Sequence, residues 1–150
     1  MNGIIVGLDD SIHSCTALRW AMHEAAVHHL PLTVVTVLPQ EVRPATTIYW
    51  GLPTYPEGSS NQEYARKAVQ QRVDEVMTEI GGDLPEVTVS VTKGNPAEEL
   101  MNAACDADML VVGSRGSDGF AKILMGSVSS QVTHHAECPV VVIREPHPGS

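Results

Sequence analysis

The residues of this chain best suited to chemistry are three glycines and two serines late in the sequence. Val111-Val112-Gly113-Ser114-Arg115-Gly116 is followed, after a gap of nine residues, by Gly126-Ser127-Val128-Ser129. The first group ends an apolar, strand-like run and the second opens a helix-like run. At such a junction an α/β protein presents backbone amides to a phosphate. Gly113 and Gly116 let the chain turn sharply and let a ligand approach the backbone without meeting a Cβ. A helix opening at Gly126-Ser127 has unpaired N–H groups and a dipole that favours an anion. Ser127 and Ser129 add hydroxyl donors. Arg115 is either a counter-charge for the phosphate or an exposed loop arginine. Glycines occur in many loops for turning alone, but three of them at this spacing, followed by serine, favour a phosphate cradle.

Other fingerprints are absent. The first strand-like run leads into Gly7-Leu8-Asp9-Asp10-Ser11, which is not the G-x-G-x-x-G of a dinucleotide site. There is no G-x-x-x-x-G-K-[ST] of a P-loop and no G-x-S-x-G nucleophile elbow. Asp9 has two readings. It can cap the helix that follows, as Asp10 or Ser11 could, or it can offer a carboxylate to a ribose or an adenine edge. His28-His29 and His134-His135 are sequence neighbours at helix ends, and neighbours on a helix do not face one metal. Favourable charge at a helix C-terminus accounts for them more simply. Cys15, Cys105 and Cys138 are odd in number and form no C-x-x-C pair, so neither a disulfide framework nor a zinc site is expected. Cys138, before Pro139 and an apolar run, reads as buried filler.

Composition bounds the partners. The chain has 150 residues, 43% hydrophobic but only 4% aromatic, so its core is Val, Ile, Leu, Ala and Met. That suits buried parallel strands covered by helices. One domain, 1–150, is the simplest division. Asp and Glu number 18 against 9 Lys and Arg, for a net charge of −9. A nucleic acid or an anionic membrane would want a basic face, so neither is expected as a partner. A phosphate would have to be held mainly by backbone amides. No basic segment leads into an apolar signal region, and no run reaches the roughly 18 apolar residues of a membrane span. The expected compartment is the cytoplasm.

The elements that position these residues alternate regularly. Gly3 to Leu8 is a continuous apolar strand. From Ser14, Ala17, Leu18, Ala21, Met22 and Ala25 recur at helical spacing. Leu32 to Leu38 is a β-branched strand. Pro39 to Ser60 holds four prolines and two glycines without periodicity, a long surface loop of the kind that serves as a lid. A helix with Ala65, Val69, Val73, Val76 and Ile80 on one face ends at Gly81-Gly82. A strand at 87–91, a helix from Pro96, a strand at 109–112, a helix over about 127–137 and a strand at 140–143 complete the chain. The β-α-β-α-β-α-β-α-β order predicts an α/β fold, a doubly wound open parallel five-stranded sheet with helices on both faces. Ligands of such sheets bind beyond the carboxyl ends of the strands. The pattern alone leaves the strand order open.

The Gly-2x-Gly-9x-Gly-Ser spacing closely resembles the nucleotide-binding signature of the ATP-binding universal stress proteins. The resemblance runs over nearly the whole chain. It includes Val6-Gly7-Leu8-Asp9-Asp10-Ser11, where the family has Val-Gly-x-Asp-x-Ser, the turn Lys93-Gly94-Asn95-Pro96-Ala97, and Ala136-Glu137-Cys138-Pro139-Val140. It implies a Rossmann-like sheet of order 3-2-1-4-5, and ATP with Mg²⁺ as the ligand. It also implies that Gly7, Leu8 and Asp9, the main chain at Val37, and Val112, Gly113, Arg115, Gly116, Gly126, Ser127, Val128 and Ser129 form the site. Asp10 departs from the family, which has a small residue there, and brings a second negative charge. The resemblance further implies a homodimer, which an unprotected apolar edge at Val140 to Ile143 would suit. The expected function is a nucleotide-dependent signal in the stress response, passed to a protein partner. Slow ATP hydrolysis or self-phosphorylation, or binding of AMP or cyclic AMP, are the alternatives. No catalytic or metal-ligating residue is assigned.

Overall fold

A computed structural model describes residues 2–9, 12–38, 61–114 and 127–144. The expected loop over 39–60, and Arg115, Gly116 and Gly126, lie outside the described residues, as do Asp10 and Ser11. The elements in chain order are β1 (Ile4–Gly7), α1 (Ile12–His28), β2 (Leu32–Leu38), α2 (Asn61–Ile80), β3 (Val87–Lys93), α3 (Pro96–Ala103), β4 (Met109–Gly113), α4 (Ser127–His135) and β5 (Val140–Ile143). All five strands are parallel, in the order β3-β2-β1-β4-β5. This is the expected fold and strand order. β3 continues two residues past the expected end at 91, because its ladder with β2 runs on through Thr92 and Lys93.

Period-two alternation divides the apolar strand residues between two cores. Ile4, Val6, Leu8, Leu32, Val34 and Val111 face α1 and α2, and meet Leu18, Met22, Val69 and Val73. Ile5, Val35, Val37, Leu110 and Val112 face α3 and α4, and meet Ala97, Leu100 and Val132. The near-continuous apolar runs follow from this, since both sides of each central strand are covered. Leu18 and Met22 are wholly buried, each contributing about 1.5–3 kcal/mol through the area it removes from water. Gly7 lies on the α3 side. A Cβ at that position would come 3.1 Å from Leu100 Cδ1, so glycine here lets α3 pack close to the end of β1.

The helix ends follow capping chemistry. Asn95 Oδ1 accepts from the Glu98 N–H over 3.1 Å, and Pro96 begins α3. α1 ends in a reversed turn in which Leu30 N–H donates to Ala25 O and His29 N–H to Ala26 O. His29 adopts φ 54°, a place usually held by glycine. His134 and His135 occupy the last turn of α4, where cations suit the dipole.

The two sheet edges differ. Along β3, α2 lays side chains over outward carbonyls: Arg66 Nη1 donates to Val89 O at 2.7 Å and Gln62 Nε2 to Val91 O at 3.3 Å. Along β5, no described side chain is laid across the outer edge, and all four residues are only partly buried. Among the described residues, no helix is long and apolar enough to cross a membrane.

Candidate functional site

The sheet order leaves β1 and β4 side by side at the centre, with their following helices on opposite faces. At that point the chain changes winding direction, and ligands of such sheets bind beyond the carboxyl ends there. Most of the described residues singled out from the sequence lie along that edge.

Past β1, the ladder continues for one more bond: Leu8 N–H donates to Val35 O over 2.9 Å. The Leu8 carbonyl accepts from the buried Thr36 hydroxyl at 2.8 Å. Leu8 is therefore held on both sides of its peptide, with its side chain in the α1–α2 core. Its part is to fix the residue that follows. Asp9 is 6% exposed, and a carboxylate so enclosed is stable only with polar company. Alternation puts it on the α3–α4 face, with Gly7.

The ends of β4 and α4 are joined by serines. Ser114 N–H donates to Ile143 O over 2.8 Å, which extends the β4–β5 ladder beyond Gly113. Ser129 Oγ donates to Ser114 O over 3.0 Å. Thr133 Oγ1 in turn donates to Ser129 O at 2.6 Å. Both serines are buried. Their bond fastens the first turn of α4 to the end of β4. The Ser129 proton, expected to face a ligand, goes to this carbonyl. Ser127 is exposed at the start of α4, and Val128 packs on the α3–α4 core.

At the end of β2, Val37 is buried on the α3–α4 face and pairs in register with Thr92. Gly94 N–H donates to Leu38 O over 2.8 Å and closes the ends of β2 and β3 together. Gly94 has φ 140°, and a Cβ there would meet the Glu99 carboxylate at 3.0 Å. The positive φ is what calls for glycine here, since the Glu99 carboxylate sits at the end of a flexible side chain and can move aside.

The registers bring these residues into one line. Gly7 pairs with Val35, Val6 with Val111, and Val37 with Thr92. Carried to the end of β1, the same registers set Ser114, Asp9, Val37 and Thr92 in a row across β4, β1, β2 and β3. Thr36, Ser114 and Thr92 were not assigned roles from the sequence. Thr36 and Thr92 are polar residues near the ends of apolar strands, a signal too weak to separate them from ordinary β-formers.

The cysteines are apart from this edge in chemistry. Burial pushes the Cys138 thiol up from its ordinary value, which works against a thiolate nucleophile. Among the described residues no group of three His, Cys, Asp or Glu side chains could hold a metal ion.

Fold and edge together define a class: an open parallel α/β domain whose winding direction switches between β1 and β4. Residues 1–144 match the model of the universal stress protein family, and the chain belongs to that family. A universal stress protein of Mycolicibacterium smegmatis is 34% identical over 145 residues, covering 94% of this chain and 47% of that protein. The chain thus spans about half the length of the curated relatives it matches. Among solved structures, UspA from Lactobacillus plantarum superposes with a TM-score of 0.71 at 24% identity, covering 95% of this chain and 97% of that one. A universal stress protein in complex with cAMP gives 0.67 at 21% identity, covering 95% and 96%. One from Archaeoglobus fulgidus in complex with dAMP gives 0.64 at 23%, covering 95% and 98%. At these identities the structures speak for the fold.

Proposed function

We propose that this protein binds an adenine nucleotide along the carboxyl edge of its sheet and signals through that occupancy. The observation that carries the reading is the row Ser114, Asp9 and Val37, with the Ser129–Ser114 bond bringing the start of α4 to one end of it. Each part has a chemistry to offer. The N–H groups opening α4, with the glycines Gly113, Gly116 and Gly126 of the sequence motif, suit phosphates. A buried carboxylate at Asp9 suits ribose hydroxyls, which donate to it strongly. The main chain and apolar surface near Val37 suit the base. The cAMP and dAMP complexes of the structural neighbours support an adenine nucleotide as the ligand class.

Within that class the reading is ATP, with Mg²⁺ accompanying its phosphates, in a cytoplasmic homodimer of the stress response. Nucleotide acts as a ligand and not as a substrate: its occupancy alters the surface offered to a partner. The test is mass analysis of whatever is released when the purified protein is denatured, followed by calorimetry with ATP, AMP and cyclic AMP. Release of an adenine nucleotide, and saturable binding lost in Gly113→Val, are expected. A protein that releases none and binds none at millimolar concentration overturns the reading.

A further inference from the structure

We propose that the Thr92 hydroxyl reads the base, hydrogen-bonding the Watson–Crick edge of the bound adenine; the inference rests on the adenine-nucleotide reading above. Thr92 Oγ1 is buried and has no hydrogen-bond partner among the described residues. Other described hydroxyls of the domain differ in this respect. Thr36 donates to Leu8 O, Ser129 to Ser114 O and Thr133 to Ser129 O. A buried hydroxyl without a partner destabilises the fold, so one retained at the ligand-binding edge of a sheet is a group kept for something that arrives.

Position says what arrives. Thr92 stands opposite Val37 on the α3–α4 face, one strand beyond it and two strands beyond Asp9. Adjacent strands lie about 4.8 Å apart, so Asp9 and Thr92 are about 10 Å apart in the row. The strand order β4, β1, β2, β3 then parallels the order of parts in a nucleotide: phosphate, ribose, the body of the base, and its far edge. That far edge in adenine carries a ring nitrogen that accepts and an amine that donates. A hydroxyl can answer either one. The β-branch of threonine restricts χ1, which holds the hydroxyl in place before the ligand enters.

Two substitutions separate the hydroxyl from the methyl group. Thr92→Val keeps the shape and removes the hydroxyl, while Thr92→Ser keeps the hydroxyl and removes the methyl. ATP, AMP and cyclic AMP are titrated into each by calorimetry, and the ligand-free proteins are melted. Thr92→Val should melt no lower than wild type and bind its best nucleotide about five- to tenfold more weakly. Thr92→Ser should retain wild-type affinity within about twofold. Unchanged affinity in Thr92→Val, loss of affinity in Thr92→Ser alone, or a lower melting temperature of ligand-free Thr92→Val overturns the assignment while leaving the nucleotide site standing. A wild-type protein that binds none of the three nucleotides overturns the functional reading and this inference with it.

Discussion

Ser129 Oγ donates a hydrogen bond to the carbonyl of Ser114 over 3.0 Å, and both residues are buried. Fifteen residues apart in sequence, they fasten the start of α4 to the end of β4. Ser129→Ala should leave a buried carbonyl short of its donor, at a cost of about 1–2 kcal/mol. The melting temperature should fall by several degrees, and nucleotide affinity should fall with it as α4 loosens. Thermal melts with and without ATP check this. A melting temperature unchanged by the substitution would show that α4 is held by other contacts.

Asp9 is expected to hold the ribose end of the ligand. Loss of a charge-assisted hydrogen bond is worth roughly 1.5–3 kcal/mol, or about one to two decades in dissociation constant. Asp9→Ala should therefore weaken ATP by that factor and leave the ligand-free fold largely intact. If calorimetry shows wild-type affinity while the ligand-free melting temperature drops, Asp9 serves the following helix and not a nucleotide.

Gly126 precedes the first residue of α4, where the amides suited to phosphate begin. A bulky β-branched side chain there would occupy the space the phosphate needs, so Gly126→Val should abolish ATP binding. Isothermal titration checks this, and an unchanged dissociation constant would remove the phosphate cradle from the reading.

The two sheet edges predict how copies associate. Arg66 and Gln62 already occupy outward carbonyls of β3, which blocks a further strand there. On β5, the bonds Leu110 N to Pro139 O and Ser114 N to Ile143 O show that odd-numbered residues face β4. The N–H of Val142 therefore points to the outer edge. Val142→Pro removes that donor without breaking the β4 ladder. Light scattering at micromolar concentration should give about twice the 16.1 kDa chain mass for wild type. The variant should give a value near one chain. A monomeric wild type would end the dimer proposal and leave the nucleotide site untouched.

His29 holds a left-handed conformation at φ 54° just past α1. A Cβ in that region is strained, and glycine relieves it at some cost in unfolded-state entropy. His29→Gly should raise stability by about 1 kcal/mol, seen as a higher urea midpoint with an unchanged slope. α1 ends near the start of β2, at the opposite end of the sheet from the site, so nucleotide affinity should not change. A lower midpoint would mean that the histidine makes a stabilising contact of its own.

The residues of this chain by themselves determined the element order, because runs such as Ile4 to Val6 and Val34 to Val37 are apolar on both faces. A strand covered on both faces accepts that, and the interleaved helices make such a sheet parallel. Local spacing also marked the helix starts at Pro96 and Ser127, since each depends on neighbours a few positions away. The strand order was not legible from the pattern of residues and came from the family resemblance, because hydrogen bonds between distant strands leave no local trace. What only the tertiary structure decided was register, and with it the company each polar group keeps. Thr36 and Thr92 are both threonines near the end of a β-branched strand. Pairing turns one toward Leu8 O and leaves the hydroxyl of the other buried with no partner among the described residues. Likewise Ser129, expected to face a ligand, gives its proton to Ser114 because packing of α4 brings that carbonyl within reach. A one-residue shift of β1 against β2 would move Asp9 to the other face of the sheet and away from Val37. The site is thus written in residue types, but its geometry exists only once five strands have settled into one register.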